Sequence, residues 1–491
     1  MNRINRFLSA AVAAVLFICA SCSAAGDTGG KSDLSQNANS DFVEEETTVG
    51  DDLPQKNFDG RKFRVGVRTP AEYEIFTELT GEVTDDAIFY RNARISERFN
   101  VEITAIPISD IPDTCYEQLV NSVRAGDDAY DLFGCYVYLL YMSASARVLR
   151  NWLEVDYIDT SKPWWNSEIN DNATINGILY GLTGTLAITY MQYTESMFYN
   201  VKAAEDHGIT QDMLYDLVKS GSWTIDKLSE YVSGMYADLN GNGRRDIEDR
   251  YGIGASKPVS YDVWPAAFDI KLTGKDSDGY ITVEYIKNER TVTALEKIID
   301  LFHVNPGGII YEGGGTYNDH TYFIDDKIVF FPTYLMNAFF ELREMENPYS
   351  IIPLPKWDEN QKKYRSLVID GYTIWQIPKT VEDTEFVGII TEALAADTYY
   401  NVYPVFYDVA MKNKYSQDEK TAEMVDLVVE NAVFDFSFMY GVYMEYLPYL
   451  FRFHVVERNP DIISDYKRKE KAINKKIQLV YELYLPEEPE N

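Results

Sequence analysis

Between Lys62 and Cys135 the sequence alternates strand and helix signatures in the order β-α-β-α-β. Lys62 to Val67 sets Phe63, Val65 and Val67 on one side, the period of a half-buried strand. Thr84 is placed as a helix N-cap with Asp85 and Asp86 in the first turn, and Ile88, Ile95 and Phe99 share one face of that helix. Val101 to Ile106 reads as a second strand, and Cys115 to Ala125 as a second helix with Leu119, Val120 and Val123 inward. Asp131 to Cys135 is a short buried strand. This order predicts an α/β fold with a parallel sheet and helices on its faces. Ligands of such sheets sit beyond the carboxyl ends of the strands, which points to Gly134, Cys135 and Tyr136.

A second α/β region follows. Thr224 caps a helix whose inward face is Ile225, Leu228, Val232 and Met235, and Phe386, Ile389, Ile390, Ala393 and Leu394 form a helical stripe. No internal repeat and no Pro- or Gly-rich linker divides the folded part. At 46% hydrophobic, 491 residues suit two or three domains or two large lobes. Two lobes without one linker imply that the chain crosses between them more than once.

The amino terminus reads as a leader. Arg3 and Arg6 precede the apolar run Phe7 to Ala20, which is short for a bilayer span and fits a secretory signal peptide over residues 1–21. Ala20-Ser21-Cys22 resembles a bacterial lipobox, with Cys19 where Leu is usual, so Cys22 is the expected lipidation site; ordinary cleavage near Ser21 or Ala25 is the alternative. Residues 22–57 are polar and read as a disordered, lipid-anchored tether. Cys115 and Cys135 then remain, either as one disulfide or as two buried thiols.

With 45 Lys+Arg against 78 Asp+Glu, the formal net charge of −33 excludes a nucleic-acid partner, which requires basic surface. The richest basic stretch, Lys467 to Lys476, is read as a solvated helix face. None of the four histidines, His207, His303, His320 and His454, has metal-pair spacing, Gly313-Gly314-Gly315 lacks the residues of a phosphate loop, and no Gly-x-Ser-x-Gly elbow occurs. Carboxylate pairs for glycoside hydrolysis stay open among so many acids.

One local motif stands out. Asp238, Asn240, Asn242, Asp246 and Asp249 fall at positions one, three, five, nine and twelve of a calcium loop, with Gly243 at six and the Arg244 carbonyl at seven. The last ligand is Asp where Glu is usual, and Tyr251 to Gly254 reads as strand or turn. A structural Ca2+ that pins a loop is therefore expected in place of a helix-loop-helix sensor.

Several phrases in order resemble the extracellular solute-binding lipoproteins of ABC-type sugar importers. They are Thr84-Asp85-Asp86-Ala87 through Glu97-Arg98-Phe99-Asn100-Val101, Tyr130-Asp131-Leu132, Ser161-Lys162-Pro163-Trp164-Trp165-Asn166, Met197-Phe198-Tyr199-Asn200, Ser220-Gly221-Ser222-Trp223-Thr224, Asp249-Arg250-Tyr251-Gly252, Ile352-Pro353-Leu354-Pro355-Lys356 and Pro404 to Val409. The resemblance spans roughly Phe58 to Asp435. It implies a type II periplasmic-binding-protein-like fold, with residues 58–189 plus 372–430 as one lobe and 190–371 plus 431–491 as the other. Hinges would lie near Tyr190 to Ser196 and Ile369 to Gln376. It further implies a monomeric receptor on the outer face of the cytoplasmic membrane that hands a small solute, a saccharide above all, to permease subunits. A peptide or polyamine is the other ligand option. Tyr136, Trp164 and Trp165 from one lobe, Trp223 and Trp264 from the other, and Asp370 and Tyr372 at the second hinge are the expected ligand-binding residues. Core packing is the alternative for each tryptophan, and one ring of the Trp164-Trp165 pair is expected to point inward and one outward. The rival functions are a surface-anchored polysaccharide lyase or glycosidase and a structural adhesin.

Overall fold

The first sheet forms as the alternation predicts. Strands β1 (Arg61–Arg68), β2 (Val101–Ile108) and β3 (Leu132–Tyr136) pair in parallel, with β1 central. In the computed structural model the described residues are 50–255, 258–277, 279–311, 319–343, 345–407 and 419–485. The leader, Cys22 and Gly313 to Gly315 lie outside them. Helix α1 (Val83–Phe99) buries Ile88, Ile95 and Phe99, and α2 (Pro112–Ala125) buries Leu119 and Val120 with Val123 half-buried. Thr84 falls inside α1, not at its cap, because the helix starts at Val83; Asp86 instead accepts the backbone N–H groups of Thr80 and Gly81.

The second lobe is a mixed sheet. Its strands β4 (Glu195–Asn200), β5 (Tyr251–Ala255), β8 (Gly308–Ile310), β9 (Ile328–Tyr334) and β10 (Tyr349–Ile352) take the order β10-β4-β9-β5-β8. A small antiparallel pair, β6 (Thr273–Lys275) and β7 (Ile281–Val283), forms a separate sheet. Thr224 caps the helix Ile225–Ser233 with its side chain, as its sequence position implies.

Among the described residues, two crossings between the lobes run side by side. The first runs through Thr189–Gln192 into β4, and the second from β11 (Ser366–Leu367) to β12 (Thr373–Gln376). They bridge at Thr194 and Val368, and Ile369 N–H donates to the Tyr193 carbonyl at 3.0 Å. β12 then adds to the first sheet as an antiparallel edge beside β3, which the sequence pattern did not reveal. The chain returns again before Glu419. The helix Glu419–Glu430 packs on β10, with Thr421 and Ser350 both on the Tyr215 hydroxyl at 2.7 and 2.8 Å, so this stretch sits on the second lobe although 372–430 was expected on the first. β13 (Ala432–Val433) pairs with β11. The final helix, Ile462–Leu483, touches both lobes: Tyr481 donates to the Gly279 carbonyl at 2.6 Å, and Arg147 donates to the Leu483 carbonyl at 2.6 Å. Its basic residues Lys467, Arg468, Lys471 and Lys475 are exposed.

Residues 50–57 are not part of a tether. Asp51 is buried and takes Arg98 Nη2 at 3.0 Å, Asp52 pairs with Lys162 at 2.7 Å, and Leu53 packs on the core. Short acids here meet fixed cations of the first lobe, which anchors the segment. Cys115 and Cys135 are joined as a disulfide that ties α2 to β3. No helix among the described residues is long and apolar enough to cross a membrane.

Candidate functional site

The ends of β1, β2 and β3 converge on one spot at the base of the cleft. β1 ends on Arg68, Asp110 follows β2 by two residues, and β3 ends on Tyr136. The Tyr136 hydroxyl donates to Asp110 at 2.6 Å, and the Arg68 guanidinium lies 3.6 Å from the Tyr136 ring centroid. Tyr138 stacks on the other aromatic neighbour, Tyr136, at 5.1 Å and 25°. Burial and Asp110 together push the Tyr136 hydroxyl pKa up, so it stays a neutral donor.

The crossings complete this base. Arg68 Nη2 donates to the Gly371 carbonyl and to Thr373 Oγ1, both at 3.2 Å. The buried Glu74 carboxylate accepts from Thr189 N–H, Thr189 Oγ1 and Thr373 Oγ1 at 2.8, 2.7 and 2.6 Å, which binds the start of the first crossing and the end of the second to the short helical turn after β1. A Cβ on Gly371 would stand 2.3 Å from the Tyr193 ring, so only glycine lets the two crossings meet here.

From the second lobe, Tyr334 at the end of β9 faces Tyr193 at 5.3 Å. Arg452 holds Asp262 through Nε at 2.8 Å and a second contact through Nη2, and its guanidinium covers the Tyr449 ring at 4.2 Å. The Tyr449 hydroxyl donates to Asp370. Burial lifts Asp262 to about 7 and raises Asp370 as well. The Arg68 side chain is 3% exposed and that of Asp110 47%, so guanidinium lies beneath the surface and carboxylate on it. Each carboxylate keeps acceptor sites beyond its one tyrosine.

Of the seven residues expected to bind ligand, Tyr136 pairs with Asp110 and Asp370 with Tyr449, to either side of the Arg68–Gly371 contact. The other five are core. Trp164 and Trp165, at 1% and 3% exposure, both turn inward and donate to the two oxygens of Glu392 at 2.9 and 2.8 Å, so neither ring points out. Trp223 donates to the Pro353 carbonyl at 2.9 Å, Trp264 packs among Phe268 and Phe302, and Tyr372 is buried edge-on to Tyr190. A tryptophan gains most from burial when a fixed acceptor takes its N–H, and three of the four find one. Sequence reasoning missed Arg68, Asp110, Tyr138, Tyr193, Asp262, Tyr449 and Arg452. The strand-end rule, applied to β1 and β2 as it was to β3, would have reached Arg68 and Asp110.

The calcium-type loop is clasped at its base by paired hydrogen bonds between Ala237 and Arg250, at 3.0 and 2.9 Å. Asp238 accepts the N–H groups of Gly241 and Gly243 at 2.7 and 2.8 Å, Asn240 that of Asn242 at 3.0 Å, and Asn242 that of Arg244 at 2.7 Å. Asp249 is fully buried; its Oδ2 takes Asp246 N–H and Tyr236 OH, both at 3.0 Å, while its Oδ1 has no partner. A buried carboxylate oxygen left bare is the position that a cation would fill. The remaining donors are less drawn together: the Asn240 and Asn242 amide nitrogens face Asp246, and among the described residues no three His, Cys, Asp or Glu side chains gather as a bare cluster.

No protein-family model matches the chain, and no curated protein matches it in sequence. Solved structures do. An ABC substrate-binding protein from Listeria monocytogenes in complex with cycloalternan is 14% identical with a TM-score of 0.56, over 86% of this chain and 100% of that one. A cyclic α-maltosyl-1,6-maltose binding protein from Arthrobacter globiformis gives 11% and 0.58, over 86% and 100%. UgpB from Mycobacterium tuberculosis, in complex with glycerophosphocholine, gives 12% and 0.56, over 86% and 99%. The fold is that of type II periplasmic binding proteins. Here the crossings between the two α/β lobes meet beside the Arg68, Asp110, Tyr136 and Asp370 cluster.

Proposed function

We propose that this chain is an exported receptor that captures a carbohydrate between its lobes and delivers it to the permease of an ABC importer. The observation that carries the reading is the tyrosine-and-carboxylate base of the cleft, set where strand ends and both crossings meet. Flat tyrosine faces cover the C–H surface of a sugar ring, and Asp110 and Asp370 accept its hydroxyls. The paired crossings let the lobes turn about Thr194 and Val368, and a ligand touching both lobes favours the closed state by its extra contacts there.

The test is a thermal-shift and calorimetric screen against mono- and oligosaccharides. A ligand at a hundred times its Kd should stabilise the protein by about 2.7 kcal/mol and come back chemically unchanged. No shift with any saccharide, or turnover of one, overturns the reading.

Two features belong with this proposal. A lipid on Cys22 would hold the receptor at the membrane; Cys22→Ala should then move it from the membrane fraction into the medium, and its retention there would count against an anchor. Calcium would fit the loop at Asp238, Asn240, Asn242, the Arg244 carbonyl, Asp246 and Asp249, with the bare Asp249 Oδ1 as its inner ligand. Chelation should lower the unfolding midpoint and calcium should restore it, the response disappearing in Asp249→Asn. An unchanged midpoint on chelation would remove the metal from the account.

A further inference from the structure

The segment that closes the cleft on the second-lobe side does not stop at Tyr449. Tyr446 stands 6.3 Å from Tyr449 and 6.2 Å from Phe453, ring centre to ring centre, so three rings run outward from the Asp370 floor. Their burial changes along the way. Tyr449 is buried, whereas Tyr446 is 48% and Phe453 40% exposed, with Val442 and Val456 also open to solvent. Large apolar side chains grouped at a surface mark a contact surface more often than chance exposure does.

Two further observations bear on what covers it. Glu445 and Tyr446 both adopt left-handed backbone conformations, at φ of 58° and 60°. Two successive non-glycine residues held that way carry strain, which the fold retains while presenting the Tyr446 ring outward. Beyond Phe453 lies a separate cavity of about 190 Å³, lined by that ring and by polar groups that include Glu457, Asn459, Arg468 and Lys469. One aromatic face beside several hydrogen-bonding side chains is how a sugar unit is held, with its C–H face covered and its hydroxyls paired.

We propose that the strip from Tyr446 to the Phe453 cavity is an outer saccharide subsite, so that the ligand is an oligosaccharide whose chain leaves the cleft over the second lobe and is not wholly engulfed. This rests on the carbohydrate reading above. Continuity supports it: Tyr449 touches the cleft floor through its hydroxyl and the strip through its ring. The two exposed rings, Tyr446 and Phe453, stand 6.2 Å apart, so neighbouring units of one chain can meet them.

The experiment is a set of Kd values by calorimetry for one saccharide type from monomer to hexamer, on the full chain and on Tyr446→Ala, Phe453→Ala and Phe453→Leu. Affinity of the unaltered protein should keep rising after the units that fill the cleft. Each alanine variant should bind the long members about three- to tenfold more weakly and leave the shortest binding member unchanged. Phe453→Leu, which keeps apolar bulk but loses the flat ring, should behave as Phe453→Ala, and unchanged melting midpoints exclude misfolding because both side chains are exposed. If every variant follows the unaltered protein along the whole series, the outer subsite is wrong while the receptor reading stands. If no saccharide of any length binds, the receptor reading itself falls and the subsite with it.

Discussion

Glu392→Ala should destabilise the protein by about 3–5 kcal/mol, as read from denaturant unfolding. Glu392 is almost wholly buried and receives the indole N–H groups of both Trp164 and Trp165. Alanine would strand two buried donors and leave a cavity beside two of the largest side chains of the first lobe. Glu392→Gln keeps the volume and one acceptor and should cost far less. The same residue sets a pH signature. Burial lifts its carboxyl to about 7, above the ordinary 4.5. A group whose folded pKa is raised gives its stability in full below the unfolded pKa and loses it as pH rises through the folded one. Unfolding midpoints should therefore be higher at pH 5 than at pH 8, by on the order of 2–3 kcal/mol in stability for this group. Glu392→Gln should shrink that difference, and Asp262, Asp370 and Glu74, which burial raises in the same way, contribute to the remainder. A midpoint that climbs from pH 5 to pH 8 would contradict the account.

Removal of the Cys115–Cys135 bridge should cost about 3 kcal/mol, the loop-closure effect expected for a separation of 20 residues. Both cysteines are fully buried, so a reductant should act on the unfolded protein and not on the native one. The double Cys→Ala variant should unfold at lower urea with a somewhat steeper slope, because the unbridged unfolded chain exposes more surface, and adding reductant during unfolding of the unaltered protein should reproduce the shift. Two free thiols at these positions, titrated in denaturant without reductant, would show that no bridge forms. The bridge fixes α2 against β3, and Asp110 and Tyr136 flank those elements. Looser binding is thus expected alongside the stability loss.

What could be read in advance followed the strength of local patterning. Phe63, Val65 and Val67 alternate because one side of β1 is less buried than the other near its start, and Ile88, Ile95 and Phe99 recur because α1 has a solvent side. Where an element is buried all round, the pattern vanishes. β12 is buried at each of Thr373 to Gln376, and no period marks it as the edge of the first sheet. The helix Thr384–Asp397 showed its stripe but is buried from Phe386 to Asp397, since the tryptophan pair and α1 cover it as well. The cleft was half legible. Tyr136 followed from the end of a strand and Asp370 from its place on a crossing, whereas Tyr449 and Arg452 come from a distant C-terminal segment whose approach no local signal encodes. Tryptophan was the wrong guide, because its large area and single donor favour the core as much as a sugar face.

The antiparallel pairing of β12 with β3 also sets a timetable for synthesis. Tyr136 leaves the ribosome long before its partner Thr373, and the whole second sheet is encoded in between. Until Thr373 to Gln376 arrive, β3 has an open edge and the first lobe lacks the helix that holds Trp164 and Trp165. So distant a closure slows folding. A circular permutant that brings β12 beside β3 in sequence should fold faster.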